Sequence, residues 1–78
     1  MTYIIVNKDG KPLNTFTPDV PVYRNPFLFS DKTFTVYNDR KAAHDAFTTI
    51  KKTIAKRDDY SDRTYKVAAK LSIKERVE

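Results

Sequence analysis

Residues 64–74 read TYKVAAKLSIK, and their pattern decides how the second half of the chain is interpreted. Apolar and polar side chains alternate along this stretch, as they do in a β-strand with one buried face. A strand over 64–74 would direct five side chains toward a core: Tyr65, Val67, Ala69, Leu71 and Ile73. Its other face would then carry a lysine stripe, which consists of Lys66, Lys70 and Lys74.

The segment before this stretch changes from alternation to the spacing of a helix. Its apolar residues recur three or four positions apart and so share one helical face: Ala43, Ala46, Phe47, Ile50 and Ile54. Asn38 or Asp39 could cap the first turn, because a short polar side chain accepts hydrogen bonds from the free amides there. We therefore predict a helix over about 39–56 that packs on the apolar side of 64–74.

The first half of the chain contains three short β-patterned segments. Residues 2–6 (TYIIV) and 33–37 (TFTVY) are rich in β-branched and aromatic side chains, and residues 11–16 (KPLNTF) would be the strand that returns after the first. Asp9 and Gly10 separate the first two segments, and an Asp-Gly pair favours a tight hairpin turn because glycine adopts positive φ without strain. The sequence thus predicts an N-terminal hairpin and a separate middle strand.

A proline-rich loop, residues 17–26 (TPDVPVYRNP), lies between the predicted hairpin and the middle strand, and FLF follows at 27–29. The fixed φ of proline excludes a helix in this loop. Tyr23, Phe27 and Phe29 give the region more aromatic side chains than a surface loop needs. Two interpretations stay open: these aromatics belong to the core of a small domain, or they form an exposed patch that binds a partner.

These elements predict one small α+β domain over residues 1–78, in the order β-β-loop-β-α-β. The predicted architecture is a small, mainly antiparallel sheet with one helix packed on one face. The sheet would contain the N-terminal hairpin, the middle strand and the long C-terminal strand.

The amino-acid composition limits which structural sites and which cellular compartment we expect for the protein. The 78 residues contain no cysteine, which excludes disulfides and cysteine-type zinc sites. The N-terminus has no secretory-leader pattern, and no apolar run approaches the roughly 20 residues that a membrane span needs. We therefore expect a soluble cytoplasmic protein that has no contact with membranes.

Catalysis is not expected from this residue set. His44 is the single histidine, and the single glycine excludes a glycine-rich phosphate loop. The acidic residues after the predicted helix lack the spacing of a calcium loop; they are Asp58, Asp59 and Asp62. The sequence predicts no catalytic residue, no metal site and no cofactor.

The positive charge of the chain indicates a function more clearly than its candidate catalytic residues do. The formal net charge is +5, and residues 38–78 hold eleven basic and seven acidic residues. The lysine stripe and a second set on the helix, Lys52 and Lys56, are the candidate basic contacts. We expect the two sets on opposite sides of the molecule. The stripe is either a solubilising, edge-protecting feature or a site for nucleic acid on the open sheet face.

The pattern YIIVNKDGKPL, the aromatic run FLF and the helix DRKAAHDAFTTIKK resemble small phage-encoded proteins that modify the host, including anti-CRISPR and other anti-defence proteins. This resemblance implies a non-catalytic protein that binds a host protein or nucleoprotein complex and blocks one of its surfaces.

The sequence therefore predicts a binding protein that inhibits or redirects a host complex. An aromatic patch around Tyr23 and Phe27 would supply affinity, and lysines would steer association. The alternative is a nucleic-acid-binding module that uses the lysine stripe. An open edge on the long final strand could also pair two copies of the chain.

Overall fold

The computed structural model describes residues 1–21 and 24–77, and it is an α+β fold, as the sequence predicts. Its strands and helices follow one another in this order: β1 Thr2–Val6, β2 Leu13–Phe16, β3 Phe27–Phe29, α1 Arg40–Lys56, α2 Asp62–Ala69 and β4 Ser72–Arg76. Within the described part, no helix has the length and apolar character needed to span a bilayer.

The first sheet joins the two ends of the described chain. β1 pairs antiparallel with β4, with Thr2 opposite Arg76 and Val6 opposite Ser72. On its other edge, β1 exchanges two backbone hydrogen bonds between Tyr3 and Tyr37, with N–O distances of 2.9 and 2.8 Å. One edge of β1 is thus paired with β4, and its other edge is bridged to Tyr37 at a single position.

The second sheet consists of β2 and β3. Leu13 lies opposite Phe29 and Phe16 lies opposite Phe27, with a shift of register between Leu13 and Thr15. β3 covers the FLF run, which the sequence interpretation left outside the predicted strands. Two additional backbone hydrogen bonds extend the pairing beyond the strand ends, from Thr17 to Pro26 and from Ser30 to Pro12.

The turn after β1 forms as predicted, but the N-terminal hairpin does not. Gly10 has a φ of 80°, and the Asn7 side chain accepts hydrogen bonds from the amides of Asp9 and Lys11. In the described part of the chain, the ladder between the two segments stops at the Val6–Pro12 bridge, next to the hydrogen bond from the Asn7 amide to the Lys11 carbonyl. Proline has no N–H to continue the ladder, so β2 starts at Leu13 and finds its partner in β3 instead.

The prediction of a middle strand over 33–37 is wrong. The segment is an irregular strap that divides its hydrogen bonds between two strands. The Thr35 amide donates to Leu13 in β2, while Tyr37 pairs with Tyr3 in β1. It thus links the two sheets without running alongside either of them. Burial in this position raises the pKa of Tyr37.

The first helix is confirmed within one residue of its predicted start. Asp39 caps it, and its carboxylate accepts a hydrogen bond from the Ala42 amide at 2.7 Å. The predicted apolar stripe points inward, with Ala43, Ile50 and Ile54 buried.

The strand predicted over 64–74 is wrong, because its first half is helix α2 and only Ser72–Arg76 forms a strand. The residues that α2 and its flanks bury recur every three or four positions: Tyr60, Thr64, Ala68 and Leu71. Ala69, which alternation placed in the core, is exposed. The edge expected on a long final strand is limited to the five residues of β4.

The core lies where these elements meet. Ile5 of β1 is 1 % exposed and is the most deeply buried large side chain among the described residues. The buried cluster around it draws on β1, β2, β3 and both helices: Leu13, Phe27, Ile50, Ile54, Tyr60, Ala68 and Leu71.

Candidate functional site

A cleft of about 550 Å³ opens between the turn after β1, the β3 region and helix α2. Four of the side chains that line it are basic and one is acidic. We call it the basic cleft, and its lining residues are Asn7, Lys8, Asp9, Asn25, Phe29, Arg63, Lys66, Val67 and Lys70.

Helix α2 supplies one wall of the basic cleft. Arg63 and Lys66 lie three residues apart, and Lys70 follows four residues later at the C-cap. At 100° per residue, this spacing places all three side chains within a sector of about 60°. The helix rises about 1.5 Å per residue, so the basic row is roughly 10 Å long.

The charges in the basic cleft are not balanced locally. Lys8 adds a fourth cation from the turn, and Asp9 is the single carboxylate in the lining. Like charges four residues apart on a helix, as in Lys66 and Lys70, destabilise it slightly. An anion bound in the cleft would relieve this repulsion, so the arrangement favours an anionic ligand.

The basic cleft also has an apolar part, to which Phe29 and Val67 contribute. Phe29 is the last of three neighbouring phenylalanine rings. Phe16 and Phe27 have centroids 5.1 Å apart with planes inclined at 31°, and Phe27 and Phe29 have centroids 6.0 Å apart with planes inclined at 22°. We call these rings the phenylalanine series.

Two asparagines hold the backbone around the basic cleft. The Asn25 side-chain oxygen accepts a hydrogen bond from the Phe27 amide at 2.9 Å and fixes the entry into β3. The Asn7 oxygen organises the turn that carries Lys8. In neither residue does the amide NH₂ donate to a group of residues 1–21 and 24–77, and both side chains line the basic cleft.

The structure separates the aromatic residues that the sequence offered as a partner-binding patch. Phe27 is 5 % exposed and belongs to the core, so an exposed patch cannot include it. Phe29 is half-buried and lines the basic cleft. Tyr23 lies outside the described residues.

The lysine stripe is also divided. Lys66 and Lys70 lie together in the basic cleft, whereas Lys74 belongs to β4 and does not line it. The expected location on an open sheet face is therefore wrong for Lys66 and Lys70, because both belong to α2 and its cap. Lys52 and Lys56 are exposed on α1.

Sequence reasoning missed Arg63 and Lys8 as members of this site. The signal for Arg63 was present, because Arg63, Lys66 and Lys70 have helical spacing. A strand interpretation would place Arg63 on the opposite face from Lys66. Lys8 carries no such signal, since its position depends on the packing of the turn against α2.

Arg57, after the end of α1, forms a structural clamp rather than part of the basic cleft. Its guanidinium donates to the Pro18 carbonyl at 2.6 Å and binds the Asp59 carboxylate through two hydrogen bonds of 2.8 and 2.9 Å. The Tyr60 hydroxyl donates to the same Pro18 carbonyl at 2.7 Å. These contacts attach the proline-rich loop to the helical half of the molecule.

The ion pair between Arg57 and Asp59 shifts the pKa of both side chains. The hydrogen bonds from Arg57 hold the pKa of Asp59 below its usual value, and the bonds to Asp59 raise the pKa of Arg57. Both groups stay charged at neutral pH. Since Asp59 is already bound, the acidic trio is not a set of free carboxylates. Among residues 1–21 and 24–77, no group of three or more potential metal ligands comes together.

Comparison with protein-family models, curated proteins and solved structures finds no match to this chain.

Proposed function

We propose that this protein is a non-catalytic nucleic-acid-binding protein that takes a phosphate backbone into the basic cleft. The observation that carries the proposal is the convergence of four cations, Lys8, Arg63, Lys66 and Lys70, on one cleft with a single carboxylate. Phosphate contacts from lysine and arginine supply most of the affinity in sequence-independent nucleic-acid binding.

The shape of the basic cleft supports nucleic acid over an acidic protein surface. Three of the four cations form a row on α2 and its cap, which suits the regular spacing of phosphates along a strand. An aromatic ring adjoins this row, and single-strand-binding sites combine a cationic groove with aromatic side chains. Every nucleotide presents both a phosphate for the cations and a base face for the ring, whereas an acidic peptide would use the ring only where its sequence supplies an apolar side chain.

This proposal retains part of the host-complex hypothesis. A host nucleoprotein presents the same phosphate chemistry, so a small protein that binds its nucleic acid could inhibit or redirect it. The phage-type origin and the anti-defence role stay predictions from the sequence resemblance.

Salt dependence tests the proposal directly. Binding of a fluorescein-labelled 12-nucleotide single strand is measured by fluorescence anisotropy between 20 and 300 mM KCl. Four phosphate contacts predict a slope of about −2.8 in log K against log salt, at about −0.7 per contact for single strands. Absence of binding at the lowest salt concentration would refute the proposal.

A charge reversal tests the location of the site. Lys66→Glu with Lys70→Glu should weaken binding by at least about tenfold at low salt and reduce the slope to about −1.4, because two phosphate contacts are lost. The matched control is Lys52→Glu with Lys56→Glu. It makes the same change in charge at the same spacing, also near a helix C-terminus.

The two double variants have the same net charge, so a general electrostatic effect would weaken both equally. Equal weakening would exclude the basic cleft as the site. Circular dichroism and thermal unfolding establish that both variants are folded.

A further inference from the structure

We infer that the basic cleft binds single-stranded nucleic acid with one unstacked base on the ring of Phe29 while α2 holds the neighbouring phosphates. This inference rests on the proposed function and specifies the ligand: a single strand with its bases, as distinct from a duplex or a polyanion without bases.

The first step is the position of Phe29 in the phenylalanine series. Its neighbour Phe27 is buried and lies almost parallel to it, with ring planes inclined at 22°. Phe29 is half-buried and also lines the basic cleft. A base that stacks on the cleft side of Phe29 would continue the series by one ring.

The second step is the rigidity of this ring. Phe29 belongs to β3, where it lies opposite Leu13, and the ring packs against the core cluster. A ring held in this way loses little conformational freedom when a base stacks on it. It is therefore better suited as a stacking platform than an aromatic side chain at the tip of a loop.

The third step is the length of the basic row. Arg63 and Lys70 are separated by about 10 Å along α2. The rise per nucleotide is about 3.4 Å in a stacked helix and larger in a strand with an unstacked base, so the row covers at most about three nucleotides. One base on Phe29 and phosphates on both sides of it would use the ring and the whole row together.

The fourth step excludes a duplex. Inside a duplex, both faces of a base are covered by stacking, and its edge is engaged in pairing. Aromatic side chains stack on bases that are unpaired and splayed out. A ring recessed in a cleft of about 550 Å³ can accept such a base but cannot reach the interior of intact double helix.

The test removes the ring and retains the charges. Binding of the wild type and of Phe29→Leu is measured for a 12-nucleotide single strand, for the corresponding duplex and for inorganic polyphosphate. We expect Phe29→Leu to weaken single-strand binding by about 5- to 100-fold, which corresponds to the loss of one base–aromatic stack. Polyphosphate binding should change less than about twofold, because its contacts are electrostatic.

Two matched variants complete the design. Phe29→Tyr keeps the ring and should retain wild-type affinity for the single strand. Phe16→Leu removes a ring from the other end of the phenylalanine series, away from the cleft, and should change none of the three affinities.

The outcomes separate this inference from the proposed function. If the wild type binds no nucleic acid, the proposed function fails. If it binds nucleic acid but Phe29→Leu weakens the single strand and polyphosphate equally, or weakens neither, the inference is overturned. Duplex binding as tight as single-strand binding also overturns it.

A measurement on the wild type keeps the inference testable if Phe29→Leu does not fold. In NMR titrations with a uridine dinucleotide, stacking should shift the base protons upfield and move the Phe29 ring resonances. Ribose 5-phosphate carries the phosphate without a base, and it should leave the Phe29 ring resonances in place. If the dinucleotide leaves both sets of resonances unmoved, the inference is wrong.

Discussion

Tyr60 connects two distant parts of the chain through one hydroxyl group. Its ring is buried in the core cluster, and its hydroxyl donates to the Pro18 carbonyl and accepts a hydrogen bond from Arg57 at 3.2 Å. The carbonyl belongs to a loop that is not part of the sheets, so the loop depends on such side-chain contacts for its position. The Tyr65 hydroxyl adds a hydrogen bond to the Arg57 carbonyl.

Removal of the Tyr60 hydroxyl should therefore destabilise the protein measurably. Tyr60→Phe keeps the ring in the core but loses two hydrogen bonds, so we expect a decrease of about 1 kcal/mol in the free energy of unfolding. This corresponds to a fall of about 4–8 °C in the melting temperature for a domain of this size.

The matched control for this variant is Tyr3→Phe. The Tyr3 side chain is half-buried, and its hydroxyl makes no hydrogen bond within the described part of the chain. Its removal should change stability by less than about 0.5 kcal/mol. Equal losses in the two variants would show that the contact with Pro18 does not stabilise the fold.

Helix α2 shows where a sequence pattern can be interpreted in two ways. Alternation over 64–74 is real, and it correctly places Leu71 in the core and exposes the lysines. The same residues also satisfy a helical period once Tyr60 and Thr64 are included. A window of eleven residues does not separate the two periods. Adjacent Ala68 and Ala69 are strong helix formers, and they favour the structure that is observed.

A pair of substitutions at one exposed position tests this assignment. Lys66→Ala and Lys66→Val remove the same charge, but alanine favours a helix and valine a strand. We expect Lys66→Ala to be more stable than Lys66→Val by about 0.5 kcal/mol in chemical denaturation. The opposite order would support the strand that the alternating pattern predicts.

Other elements could be predicted because only one local structure satisfies their pattern. Residues 40–56 have a cap, a continuous apolar stripe and no competing period, and α1 forms within one residue of the prediction. The partners of the strands could not be predicted in this way. β1 pairs with β4 rather than β2, and this choice depends on Pro12 and on contacts between residues far apart in sequence.

Some residues of the candidate site could be predicted from the sequence, but their arrangement in space could not. The sequence identified Lys66, Lys70 and Phe29, each by its residue type and local context. It could not show that they share a cleft, because the turn, β3 and α2 meet only in the folded protein. Lys74 belongs to the same predicted stripe but lies outside the basic cleft, because it is in β4 rather than in α2 or its cap.

At the scale of the molecule, the strap over 33–37 holds two small sheets together. Neither two-stranded sheet has enough partners to be stable alone. The strap contributes hydrogen bonds from Thr35 to β2 and from Tyr37 to β1. The two sheets and the two helices should therefore unfold as one cooperative unit.

Hydrogen exchange can test this linkage. The amides of Tyr3 and Tyr37 donate to each other's carbonyls, so they should have similar and strong protection. The amide of Asp31 is the comparison, because it makes no hydrogen bond in the described part of the chain. If Tyr37 exchanges as fast as Asp31, the strap does not link the sheets in solution.

The pairing of β1 with β4 also governs how the protein can fold as it is made. Thr2 lies opposite Arg76, so β1 emerges from the ribosome well before its partner strand β4 has been synthesised. For a chain of this length, that delay is roughly 4–15 s at about 5–20 residues per second. The pairing of β1 must therefore follow translation of β4, and a product truncated before β4 would leave β1 without its partner strand and open to chaperones and proteases.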